Sequence, residues 1–181
     1  MKKNPMARYG DKGFTMVEML ICVIVMSILF AMAIPTMHEW VNKYDCRQTA
    51  RQITSMFREA RNLAISNNLQ FMVVVNPGTN SFAIYQADRT TGAYSTYPAT
   101  PYLNQQPKAS GTALIKSGAL GTATANVFVK FNTNGTATFT DQNGNASDNN
   151  VSVMDGTTTP QTQIFLITVT TTGRISLQRT L

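Results

Sequence analysis

A single histidine, His38, and two cysteines, Cys22 and Cys46, are all the imidazole and thiol in this chain of 181 residues. So thin a supply excludes most side-chain chemistry. No second histidine completes a metal site or serves a nucleophile, no CxxC pair is present, and no glycine-rich loop suits a phosphate. His38 is therefore read as neither catalytic nor metal-binding. On one continuous helix Cys22 and Cys46 would lie about 36 Å apart, too far to bridge within one chain, and each reads as a small apolar residue. Charge is scarce as well, at 13% of residues. With plentiful Thr, Asn, Gly and Ser, this suits an extracytoplasmic β-rich domain better than a cytosolic enzyme. No cofactor and no metal is expected, and the chain reads as no enzyme.

The formal charge of +6 is unevenly placed. Lys2, Lys3, Arg8 and Lys12 against Asp11 give +3 before Phe14, and the remaining 11 basic and 8 acidic side chains give the other +3. Behind this basic leader comes the one long apolar run, Phe14 to Ile34, with the single charge Glu18. Its helix would be about 31 Å long, enough to cross a bilayer core. The positive leader stays on the cytoplasmic side and puts the C-terminal end outside. It lacks the apolar region and small-residue cleavage site of a secretory signal, so the apolar run stays on the product. A carboxylate within such a run is costly, and its partner is the first functional question.

Gly13-Phe14-Thr15-Met16-Val17-Glu18-Met19-Leu20 resembles the prepilin signature of type IV pilins and type II secretion pseudopilins. Met16 and Met19 stand where Leu is usual, a volume-conserving change. The resemblance implies cleavage between Gly13 and Phe14 by a prepilin peptidase and N-methylation of Phe14. It also implies that Glu18 pairs with the terminal amine of Phe14 on a neighbouring subunit. The physics fits, because an amine and a carboxylate that are each costly in lipid neutralise one another. Pro35 is similar to the family's proline near the end of the first apolar run and is read as a helix kink. Trp40 suits an interfacial anchor.

Tyr44 to Ser66 reads as an amphipathic helix. Ile53, Met56, Phe57, Ala60, Leu63 and Ala64 fall within about 120°, with Cys46 on the same arc, while Arg47, Arg51, Arg58 and Arg61 gather opposite. The arginine stripe has three readings: a solvated face paired locally with Asp45 and Glu59, contacts to neighbouring helices or lipid head groups, or nucleic-acid binding. Ala60-Arg61 ahead of an Asn67-Asn68 break and the strand Leu69 to Val75 resembles the GspH/FimT group. Phe131 followed by a turn and Gly135 resembles it again, as does Gly173-Arg174 near the end. DNA-binding FimT proteins carry Gly-Arg-x-Arg there. This chain has Ser176 in place of the second arginine, with Arg179 three residues further on. Arg174 and Arg179 are thus candidate DNA contacts, weakened by a footprint of only six basic against four acidic residues from Asn62 onward.

Turn residues Asn76 to Asn80 predict a hairpin into Ser81 to Gln86. Ala87 to Asn126 reads mostly as loop, with a short strand near Leu114-Ile115 and Tyr94, Tyr97 and Tyr102 packing on the sheet. Val127 to Phe131, a turn ending at Gly135, and Thr136 to Thr140 form a further hairpin. Asp141 to Asp148 alternates oxygen ligands, but Ala146 and Ser152 stand where a calcium loop needs Gly and Glu, so a polar loop is preferred. Ile164 to Thr170 and Arg174 to Leu177 form the last hairpin.

The expected fold is α+β and type IV pilin-like: a long N-terminal helix packed on an antiparallel sheet. The divisions are a leader (1–13), a transmembrane or filament-core helix (14–35), an amphipathic helix (36–66) and a β-rich domain (67–181). The resemblance implies a minor pseudopilin or minor pilin in the inner membrane, single-pass, with its C-terminal domain in the periplasm. Its partners would be other pilins and the prepilin peptidase, in a type II secretion system or type IV pilus. The alternative is a FimT-like DNA receptor.

Overall fold

The helix α1 runs from Met16 to Asn67. The computed structural model describes residues 13–87, 100–102, 105–118, 124–141, 145–157 and 162–180, with every side chain among them except those at 33–36 and 38–39. The leader through Lys12, Tyr94 and Tyr97 lie outside the described residues, as does the side chain of His38. The chain divides into two units, Met1–Glu39 and Trp40–Leu181.

Thr15 starts the helix. Its hydroxyl accepts from the Glu18 amide at 3.2 Å and its carbonyl from the Met19 amide at 3.2 Å, a capping arrangement that satisfies donors which helix geometry leaves orphaned. Thr-x-x-Glu is also the capping-box spacing, and an acid in the first turn suits the helix dipole. The capping bond uses the Glu18 backbone amide, so the carboxylate itself contributes here only through its place in the first turn. Ser27 hides its hydroxyl by donating to the Val23 carbonyl at 2.7 Å, which suits an apolar surrounding.

In the second unit, Cys46, Ala50, Ile53, Phe57, Ala60 and Ala64 are fully buried. Their spacing alternates four and three, a narrow stripe down one helix face. Small residues at both ends and Ile53 and Phe57 in the middle let strands approach closely at the ends while filling the centre. The helix stops at a left-handed Asn68, φ 52°, and Leu69 N–H reaches back to the Ala64 carbonyl at 3.3 Å. This is the Schellman closure, and Asn tolerates the conformation it demands.

Eight strands follow among the described residues: β1 (Phe71–Asn76), β2 (Ser81–Gln86), β3 (Ala113–Ser117), β4 (Val127–Phe131), β5 (Ala137–Thr138), β6 (Asn150–Asp155), β7 (Thr162–Val169) and β8 (Ile175–Arg179). They form two four-stranded antiparallel sheets, ordered β2-β1-β4-β5 and β3-β6-β7-β8, where one sheet is the sequence expectation. Backbone bonds tie them together: Ala137 N–H reaches the Thr171 carbonyl, and the bonds Phe82 N–H to Pro107 O and Ala109 N–H to Asn80 O cover the edge of β2. The strand β6 has no counterpart in the sequence reading. Asn150-Val-Ser-Val-Met-Asp155 mixes polar and apolar residues, yet Val151 to Asp155 are all buried between β3 and β7. Strands covered on both faces lose their alternation.

The segment before β3 is latched to the helix. Asp45 accepts from the Ser110 hydroxyl at 3.3 Å and the Thr112 amide at 3.4 Å, and Thr49 accepts from the Ser110 amide at 2.9 Å. Asp45 thus serves a loop, and among the described residues it makes no ion pair with the arginine stripe. Phe71 meets Tyr102 edge-on at 5.3 Å, which accounts for one of the three tyrosines of this region. Asp141 holds its own loop, accepting from the Asn145 amide at 2.7 Å and the Asn145 side chain at 2.9 Å. Lys130 Nζ donates to the Asp141 carbonyl at 3.0 Å, and burial lowers the pKa of that ammonium.

Cys46 gives a pH prediction. Its thiol donates to the Met154 carbonyl at 3.4 Å, and burial, with Asp155 and Asp45 adding, pushes its pKa from 9.0 to about 12. The folded state therefore keeps a proton that the unfolded chain loses between these values. Stability should fall as pH rises through this window, by at most about 1.4 kcal/mol per pH unit. Urea midpoints at pH 8, 9.5 and 11 should show a smaller decline for Cys46→Ala than for the parent. Parallel declines would refute the assignment.

Candidate functional site

Two places on the chain hold unsatisfied surface or charge. The first is the apolar half of α1. From Phe14 to Met32 every large apolar side chain is exposed, from 49% at Val25 to 89% at Met16. Nothing among the described residues covers this surface, and water is a poor solvent for it. Among the described residues, no helix is long and apolar enough to cross a membrane. The uninterrupted run of described side chains here ends at Met32. Gly13 and Phe14 precede the first helical turn and are exposed, so the peptide bond between them is accessible. Glu18 lies one turn into the helix on the same exposed segment. Pro35 falls within α1 and does not end it. Cys22 is an exposed free thiol and Cys46 a buried one.

The second place is built from three separate segments. Arg61 donates through Nε to the Gly135 carbonyl at 3.1 Å. Gly135 and Gly173 have φ of 80° and 76°, a region that glycine enters without steric cost. A Cβ on Gly173 would overlap the Gly135 carbonyl and come within 3.0 Å of Arg61 Nε. The turns at Gly135 and Gly173 therefore touch backbone to backbone and hold the Arg61 side chain between them. Phe57 meets Phe131 edge-on at 6.3 Å just below. Ala60-Arg61, Phe131 with Gly135, and Gly173-Arg174 read as separate motifs in the sequence, and the fold brings them to one point.

Around that point Arg58, Arg61, Asn62, Thr172, Arg174 and Ile175 line an open groove of about 530 Å³. Arg58 and Arg174 are exposed, and neither side chain has a hydrogen bond or ion pair among the described residues. Arg179, the second candidate DNA contact, is exposed on β8 and is not among the groove's lining residues. The inclusion of Arg58 escaped the sequence reading, which placed it only on a helical stripe. Its one available signal was the three-residue spacing to Arg61, which puts both on neighbouring turns.

Residues 8–34 match the family described as the prokaryotic N-terminal methylation motif. The fold is shared with the minor pseudopilin EpsH from the type II secretion system of Vibrio cholerae. One EpsH structure superimposes at TM-score 0.51 with 14% identity, covering 75% of this chain and 97% of that one. A second gives 0.53 with 13% identity, covering 76% and 95%. The chain joins this N-terminal methylation motif to a pilin-like fold. The GspH/FimT resemblance is supported by the motif and by this fold together. The type IV minor pilin FimU of Pseudomonas aeruginosa aligns at TM-score 0.47 with 14% identity, covering 77% of this chain and 92% of that one, too loose a superposition to bear on this pilin-like chain. No curated protein sequence matches it.

Proposed function

We propose that this chain is a minor pseudopilin or minor pilin of a type II secretion system or type IV pilus machine. It is cut between Gly13 and Phe14 by the prepilin peptidase and N-methylated on Phe14. Residues 14–35 then hold it in the inner membrane, bent at Pro35, with the β-rich domain in the periplasm. Extraction into a short filament moves the apolar half from lipid to a bundle of like helices, two surroundings of similar polarity. Glu18 neutralises the Phe14 amine of a neighbour and sets the register.

The observation that carries this reading is the methylation motif at the head of a helical segment whose large apolar side chains, among those described, are exposed. The test is the intact mass of the protein from native membranes, with and without the prepilin peptidase. We expect a mass beginning at Phe14 plus one methyl, lost in the peptidase mutant. An unprocessed mass in both strains overturns the proposal. The DNA-receptor alternative draws support from the basic groove, but Ser176 replaces the second motif arginine and Arg179 stands outside the groove's lining.

A further inference from the structure

We propose that the groove between α1 and the turn joining β7 to β8 is a docking site for an acidic protein segment, with Arg58, Arg61 and Arg174 as the carboxylate-binding groups. The inference rests on the reading of this chain as a filament subunit, whose partners are proteins. Three guanidinium groups from two distant parts of the sequence line one concave surface with Thr172, and no acidic residue is among the lining residues described. Arg61 is held by Gly135, with Gly173 against its Nε, so its position is fixed before any ligand arrives. Only its Nε is engaged among the described residues, and the terminal nitrogens retain their donors. A planar guanidinium with free donors matches a carboxylate in a bidentate pair. A groove of about 530 Å³ has the size of a small binding site and accommodates a short peptide stretch.

An acidic peptide suits the groove better than a nucleic acid does. No aromatic ring lines it to stack a base, and Ile175 is its one apolar wall. Among the strands and loops from Asn62 onward only six basic residues stand against four acidic ones, a weak footprint for a phosphate backbone on that side of the groove. The three guanidinium groups of the groove suit a short run of Asp and Glu.

The experiment uses the full processed chain in detergent. A fluorescein-labelled hexapeptide of alternating Glu and Asp is titrated by anisotropy, beside its Gln/Asn counterpart and a labelled 20-base-pair duplex. We expect the acidic peptide to bind at least about tenfold more tightly than the amide peptide, with the duplex no tighter than the acidic peptide. Arg58→Ala with Arg174→Ala should weaken peptide binding at least about tenfold. Arg58→Lys with Arg174→Lys should recover part of it. Arg47→Ala with Arg51→Ala, further along the same helix, should leave it unchanged. Equal binding of acidic and amide peptides, equal loss in both alanine pairs, or preference for the duplex would each overturn the proposal. A normal methylated mass in the same preparation separates failure of this site from failure of the filament reading.

Discussion

Gly173→Ala should destabilise the domain by about 2–5 kcal/mol. Two costs combine. A Cβ at φ 76° carries the left-handed penalty of about 1–2 kcal/mol. The same atom overlaps the Gly135 carbonyl oxygen, so one of two backbone turns must move, and overpacking costs about 1–3 kcal/mol more. The movement also loosens the Arg61 Nε bond to Gly135. Urea unfolding of the full chain in detergent, followed by far-UV circular dichroism, measures the loss. Arg174→Ala is the control, because its side chain is exposed and without a partner among the described residues, and it should change stability by less than about 0.5 kcal/mol. A Gly173→Ala protein as stable as the parent would mean that the two turns are not locked against each other.

Glu18→Ala should leave processing and membrane insertion intact and reduce filament incorporation by about a hundredfold or more. The estimate follows from the cost of stranding one partner of a buried ion pair, about 3–5 kcal/mol. In the proposed filament the stranded partner is the Phe14 amine of a neighbour. The alternative role of Glu18 is local, in the first turn of α1, where an acid contributes only about 0.3–1 kcal/mol. Thr15 keeps its capping bond to the residue-18 amide in the variant, since that donor is backbone. The measurement is the ratio of this subunit in sheared filaments to that in membranes, by quantitative immunoblot. A drop of only a few-fold would assign Glu18 to helix capping and remove it from the interface.

The helix and most strands were legible because their signals are local. The alternating three-and-four spacing from Cys46 to Ala64, the Asn67-Asn68 stop and the β-branched runs at Val73 to Val75 and Val127 to Phe131 depend on residues within a few turns of each other. So does the prepilin signature, whose chemistry is carried by a handful of consecutive residues at the chain's N-terminal end. The strand β6 was not legible, because successive residues on both of its faces are buried in the folded domain, and such burial removes the alternation that marks a strand. The division into two sheets is likewise a matter of which strands pair over long separations.

By itself the sequence determined the apolar N-terminal half, the charge on Glu18, the core stripe of the helix and the presence of arginines at 58, 61 and 174. Only the tertiary structure decided that Gly135 and Gly173 meet, that Arg61 is held there, and that Arg58 and Arg174 face the same groove while Arg179 is not among its lining residues. The physical reason is range. Periodicity and turn chemistry act over a few residues, whereas a backbone contact between two hairpin turns exists only after both hairpins have packed against the helix.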